Sequence, residues 1–173
     1  MNDATRGRVS YPVATVRTSR VTGRAEAGTG MGESSDRHEL EERRAALRRL
    51  MPVTERLRGL DGVTWAGGRR DRNGAYLVRY PTYDEDTLAV MEAFGGGVLT
   101  RHGYLDELER RGLSDGSLTD LTGLAERSDE DLTRALLTWV VRSERFYDGA
   151  VAEALREGSL VALLDRLREL YEL

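Results

Sequence analysis

From residue 128 to the end of the chain, apolar side chains recur at helical spacing and are interrupted only twice. Leu132, Ala135, Leu136, Trp139 and Val140 form one stripe; Val151, Ala154 and Leu155 a second; Leu160, Leu163, Leu164, Leu167 and Leu170 a third. The breaks are the R-F-Y-D-G run ending at Gly149, and Gly158. Such spacing predicts three consecutive helices, and connections this short make neighbours pack against each other. Ser128 followed by Asp131 reads as the N-terminal cap of the first of them. Any fold for this chain has to accommodate that helical block.

Upstream the signals are mixed. Asp36 with Glu39 reads as a capping box opening a helix to about Leu50, with Leu40, Leu47, Leu50 and Met51 as its apolar stripe and Pro52 as its stop. The runs around Val63–Trp65 and Tyr76–Tyr80 are β-branched and aromatic, and Asn73-Gly74 between them is a turn signal. They predict a β-hairpin with Trp65, Tyr76, Val78 and Tyr80 facing the core. Thr82 with Glu85 predicts a further helix through Leu88, Met91 and Phe94, ended by Gly95-Gly96-Gly97. A short helix is expected over His102 to Arg111, and loop with one turn over Leu113 to Leu124. The fold class is therefore mainly α (α+β): a helical domain with one small hairpin and three C-terminal helices.

Residues 1–35 are Arg-, Gly-, Ser- and Thr-rich and lack periodicity, so they are expected to be a disordered tail ahead of one globular domain over 36–173. Met31 closes that segment and is a candidate start codon. No stretch has the apolar length of a membrane span. The chain contains no cysteine, which removes thiolate chemistry and disulfides and fits a reducing cytoplasm. Lysine is absent too, so no phosphate-loop lysine, Schiff base or lysine general base can form. An all-arginine chain rich in Ala, Gly, Val and Leu fits a high-GC genome. Residues 1–104 hold 17 Arg against 14 acids, and residues 105–173 hold 9 against 16. The acidic half is poorly suited to lie along a phosphate backbone.

The run from Arg142 to Leu170, R-S-E-R-F-Y-D-G-A-V-A-E-A-L-R-E-G-S-L-V-A-L-L-D-R-L-R-E-L, resembles the C-terminal signature of an uncharacterised family of small bacterial and archaeal proteins, a domain of unknown function. The resemblance lies in an R-x-x-R-F-x-x-G core, a short helix, a glycine and a leucine-rich helix. Trp65-Ala66-Gly67-Gly68 and the Y-P-x-Y run at Tyr80 to Tyr83 resemble its earlier landmarks. It covers roughly residues 38–173 and implies no activity.

The strongest site candidates lie in that core. Arg142 and Arg145 are one helical turn apart and could clamp a phosphate or carboxylate, with Tyr147 nearby and Tyr80 or His102 completing a ligand site. The structural alternative makes the stretch a helix corner: Phe146 buried as a staple, Asp148 capping the next helix, and the arginines paired with Glu144, Glu153 or terminal helix carbonyls. Asp84-Glu85-Asp86 and Asp129-Glu130-Asp131 each fall in a first helical turn, where capping explains them better than metal binding. His38 and His102 are isolated and lack metal-ligand spacing. The glycine runs stand in the wrong context for a nucleotide, and no G-x-S-x-G elbow is present. No cofactor or metal is expected.

Three functions remain: a cytosolic interaction or regulatory module associating with a protein or with itself, with apolar surface on the terminal helix around Tyr171 and Leu173; a binding or enzymatic site for an anionic small ligand at Arg142 and Arg145; and nucleic-acid contact through the arginine-bearing tail and Arg69-Arg70-Asp71-Arg72.

Overall fold

The computed structural model describes residues 31–58, 63–113, 118 and 120–173. These form seven helices and one two-stranded antiparallel hairpin, in the order α1 (Met31–Leu57), β1 (Thr64–Ala66), β2 (Tyr80–Thr82), α2 (Glu85–Gly95), α3 (Tyr104–Arg110), α4 (Leu121–Arg127), α5 (Glu130–Ser143), α6 (Ala150–Arg156) and α7 (Ser159–Leu170). The expected tail over residues 1–35 lies outside the described residues, save its last five, which are the opening of α1.

Helix α5 is the centre. Nine of its fourteen residues are buried, polar ones included, which marks a helix surrounded on most sides rather than one facing water. It packs against α2, α3, α6 and α7, while α7 also meets α1 and α4. Leu136, Leu137, Leu160, Leu163 and Leu167 are fully enclosed where α5 and α7 meet. The buried polar residues of α5, Thr133, Arg134 and Thr138, all have partners. Thr133 donates to the Asp129 carbonyl at 2.7 Å and meets the Ser128 hydroxyl at 2.6 Å. Thr138 accepts from the Arg101 amide at 3.0 Å. Arg134, only 4% exposed, donates to the Leu99 and Thr100 carbonyls at 3.2 and 3.1 Å, with Glu130 at 3.5 Å. Burial depresses its pKa, but an arginine starts high enough to stay charged.

Several local expectations need correction. Helix α1 does not stop at Pro52 but runs on to Leu57, and Asp36 lies inside it rather than at its cap. A proline inside a helix costs about 3 kcal/mol. Here Val53 and Leu57 are buried beyond it, each stabilising by about 1.5–3 kcal/mol, enough to hold the last turn. The α2 cap is Asp84, accepting from the Thr87 amide at 2.8 Å, because the Thr82 hydroxyl is used inside the hairpin on the Thr64 carbonyl at 2.8 Å. Likewise Asp129, not Ser128, caps α5, since the Ser128 hydroxyl bonds Ala125 and Thr133. Both acidic triplets thus begin with a helix cap. The turn expected before Leu124 is the opening of α4, which runs on to Arg127, capped by Asp120 and burying Leu121 and Leu124.

The hairpin departs most. Its turn is where Asn73-Gly74 places it, but Trp65, Tyr76, Val78 and Tyr80 do not face the core: they are 40%, 63%, 68% and 51% exposed. Pairing covers Thr64–Ala66 against Tyr80–Thr82 and reaches Arg70 opposite Tyr76 in the same register, with the Gly68 amide donating to the Leu77 carbonyl and the Leu77 amide to the Arg69 carbonyl, both at 2.8 Å. Between them Gly67 and Gly68 both adopt left-handed φ (77° and 70°), and a Cβ at Gly67 would meet the Val78 carbonyl oxygen at 2.1 Å. Beyond this local distortion Tyr76 and Val78 stand in water.

Replacing Arg134 with Met leaves two buried carbonyls without donors. The variant should lose about 2–4 kcal/mol of stability, seen as a lower urea midpoint at unchanged slope. A loss under about 1 kcal/mol would show that this clamp is not structural.

Candidate functional site at the α5–α6 corner

The corner between α5 and α6 is built by Glu144. Its carboxylate accepts from the Gly149 amide at 2.8 Å and the Val151 amide at 2.9 Å, satisfying the opening of α6 from the preceding turn. Asp148, expected to cap α6, does not; Gly149 holds the cap position at φ 101° with no side-chain cap of its own. Only glycine suits this position on two counts. The φ is left-handed, and an added Cβ would stand 2.7 Å from the Trp65 indole. Tyr83 stands beside Glu144, though out of hydrogen-bonding geometry, and burial together with that negative charge pushes its pKa well above the ordinary tyrosine range. Three separated stretches, around Trp65, Tyr83 and Arg142–Gly149, therefore meet at one point.

The arginines are not spent on carboxylates. Arg142 donates to the Gly95 carbonyl at 3.4 Å, at the end of α2, and its guanidinium lies 5.6 Å from the Tyr104 ring centroid. Its Nε is buried without a partner. Arg145 is exposed, and neither arginine has an ion-pair partner among the described residues. Glu144 is occupied by backbone amides, and Glu153 is bound by Arg156 at 3.4 Å and by the Tyr147 hydroxyl at 3.5 Å. The expectation that Phe146 is a buried staple is overturned: it is 90% exposed, because the turn from Ser143 to Gly149 points it outward.

Two hollows flank Arg142. The larger, about 680 Å³, has a floor from Leu121, Val140 and Ala154 and an aromatic rim that includes Tyr104, Phe146 and Tyr147. The smaller, about 500 Å³, is lined by Gly95, Gly96, Gly97, Arg142 and Arg145. The structure thus brings Arg142, Arg145 and Tyr147 to one corner but leaves the other candidates elsewhere. Tyr80 is on the hairpin. His102 lies in a different hollow with Arg43, Arg101 and Arg134. The cations there are already matched: Arg43 and Arg134 face Glu130 at 3.4 and 3.5 Å, and Arg101 faces Asp131 at 3.0 Å and Glu107 at 3.7 Å.

Glu144 was expected as a partner of the arginines, not as the cap of α6, and nothing in the sequence pointed to Tyr104 at the corner or to the exposure of Phe146. Glu144 precedes the amides it caps by five and seven residues, outside any capping-box spacing, and Tyr104 reaches the site only through tertiary packing. The apolar surface expected on the terminal helix is not there, since Tyr171 is buried with its hydroxyl on Glu130 at 2.5 Å.

This is a mainly α domain, with a small hairpin docked by its tryptophan at an arginine-bearing helix corner. The chain matches the model of a family of unknown function, DUF6508, over residues 42–173, and it belongs to that family. No curated protein and no solved structure matches it. No helix among the described residues is long and apolar enough to cross a membrane.

Gly149→Ala combines a strained φ with a collision against Trp65, and should cost about 2–4 kcal/mol in denaturant unfolding. Gly74→Ala, at φ 80° with nothing within 4 Å, should cost only about 1 kcal/mol. Equal losses would mean that the Trp65 contact adds nothing.

Proposed function

We propose that the domain is a non-catalytic interaction module that pairs with a second copy of itself through the α5–α6 corner, in a cytosolic setting consistent with a cysteine-free chain. The observation carrying this reading is Phe146, almost fully exposed on the rim of an apolar groove on the same surface. Burying one such ring stabilises by about 1.5–3 kcal/mol, and nothing inside the fold uses it. A twofold contact needs a surface complementary to itself. Residues 145–148 are all exposed, and Arg145 and Asp148, three positions apart, have no ion-pair partner among the described residues. Across a twofold axis near Phe146, Arg145 of each copy meets Asp148 of the other while each ring enters the opposite groove. Exposed Leu105 extends the apolar wall. Two phenylalanines alone do not offset the cost of association, so the pairing is a weak one.

Sedimentation velocity should show dimer forming at about 10–100 μM, with Phe146→Ser monomeric at unchanged unfolding midpoint. Arg145→Asp and Asp148→Arg should each weaken association about tenfold or more, and the double variant should restore it. A wild-type monomer at these concentrations, or a double variant weaker than either single, overturns the reading.

A second reading rests on the unneutralised charge at the same corner: the pair Arg142 and Arg145 bind an anionic small ligand. Inorganic phosphate or a short fatty carboxylate, at about a hundred times its dissociation constant, should then add about 2.7 kcal/mol to stability, and Arg142→Gln should abolish the shift. No shift with either ligand, or a shift that survives Arg142→Gln, rejects it.

A further inference from the structure

The hairpin presents a second surface, unlike the corner in its chemistry. Residues 63–83 carry four arginines, Arg69, Arg70, Arg72 and Arg79, against a single acid, Asp71. All four arginines are exposed, and none has an ion-pair partner among the described residues. Asp71 forms an ion pair with none of them, being used within the turn, so the ribbon keeps a net positive charge. Its Oδ1 accepts from the Asn73 and Ala75 amides, both at 2.8 Å. Among these cations stand large flat side chains that the fold leaves in water: Tyr76, Tyr80 and Trp65. Aromatic and arginine are interleaved rather than segregated. Arg70 pairs directly across the ribbon from Tyr76, and Arg79 lies over the Trp65 ring at 4.8 Å.

We infer that this hairpin is a binding surface for single-stranded nucleic acid. A ribbon of this kind offers the two things such a strand needs: guanidiniums for the phosphates and exposed ring faces on which unpaired bases stack. Other occupants fit less well. A membrane-inserting hairpin gathers its apolar residues at the tip, whereas this tip is Asp71-Arg72-Asn73-Gly74. An acidic protein surface would meet the arginines but would leave the tyrosine faces without a partner. The net negative charge of the whole chain does not oppose the contact. The acids concentrate in residues 105–173, while residues 63–83 carry four arginines and one acid. Nor does the contact depend on the corner pairing, which uses different side chains.

The test is fluorescence anisotropy of a labelled 12-nucleotide oligo-dT and its RNA equivalent with the full chain. Binding should weaken with salt, log affinity falling with log salt at a slope of about −2 to −3 for three or four phosphate contacts. Tyr76→Ala should reduce affinity about tenfold, Tyr76→Phe should keep it, and Tyr76→Leu, apolar but not flat, should lose it. Arg69→Gln with Arg72→Gln should flatten the salt slope by about 1.4. These positions are exposed, so unfolding midpoints should not move, and a shifted midpoint would transfer the test to Tyr80→Ala and Tyr80→Phe. Parallel titrations use heparin and vesicles containing anionic lipid. Loss with Ala and Leu but not Phe, on the oligonucleotides only, supports the inference. Heparin bound as tightly as oligonucleotide with no tyrosine dependence would reduce the surface to a general polyanion site and overturn it. Binding to vesicles alone, or to nothing, overturns it as well.

Discussion

Arg134 sits in the middle of a helix enclosed by four others and is nearly inaccessible to water, yet it is charged. Its position is tolerable only because the chain leaving α2 delivers the Leu99 and Thr100 carbonyls to it, with Glu130 one turn away on its own helix. Thr138, one turn further along α5, takes the next amide, that of Arg101. The consequence reaches beyond one residue. Three consecutive backbone positions after the glycine triplet are fixed to α5, which determines where α3 starts and hence where Tyr104 stands over Arg142. The position of the corner groove follows from a polar clamp in the core.

At the other end of α5 the controlling group is also a carboxylate bound to backbone. Glu144 is the carboxylate of the R-S-E-R run, and by taking two amides of α6 it becomes unavailable to the arginines on either side. That explains why Arg142 and Arg145 stay without carboxylates in a chain with an excess of acids. It also explains the exposure of Phe146. The turn that lets Glu144 reach forward to Gly149 turns residues 145–148 toward water. A strongly patterned motif can thus owe its pattern to a corner while placing an unneutralised charge and an aromatic ring on the surface.

What could be read from the sequence followed the range of the interactions involved. The stripes from Leu132 to Leu170 located α5, α6 and α7, because burial at helical spacing is a local signal repeated many times. The acidic triplets read correctly as caps because capping spans three residues. The particular cap residue was missed twice: the Thr82 hydroxyl is taken across the hairpin by Thr64, and that of Ser128 by its neighbours Ala125 and Thr133. Pro52 misled because burial of Val53 and Leu57 outweighs the local helix-breaking term. Within the site, Arg142, Arg145 and Tyr147 were legible from their spacing, whereas Tyr104 and the Gly95 carbonyl arrive from far along the chain. The hairpin was misread at the level of facing. Alternating aromatics normally mark a buried side, but here the pairing continues past two left-handed glycines into a ribbon that leaves Tyr76, Val78 and Tyr80 in water.

The two surfaces are joined by one side chain. Trp65 carries Arg79 over its ring and presses its edge against Gly149, so it belongs to the hairpin and to the corner at once. This divides the labour among the aromatics. A ring covered on one side by a guanidinium and held at its edge by the corner is poorly placed to receive a base, which leaves stacking to the freer Tyr76 and Tyr80. Trp65 instead anchors the ribbon, and it can do so only while residue 149 lacks a Cβ. The same glycine permits the corner's turn and the hairpin's attachment. A change there would alter both surfaces together, whereas changes at Phe146 or Tyr76 address each one alone.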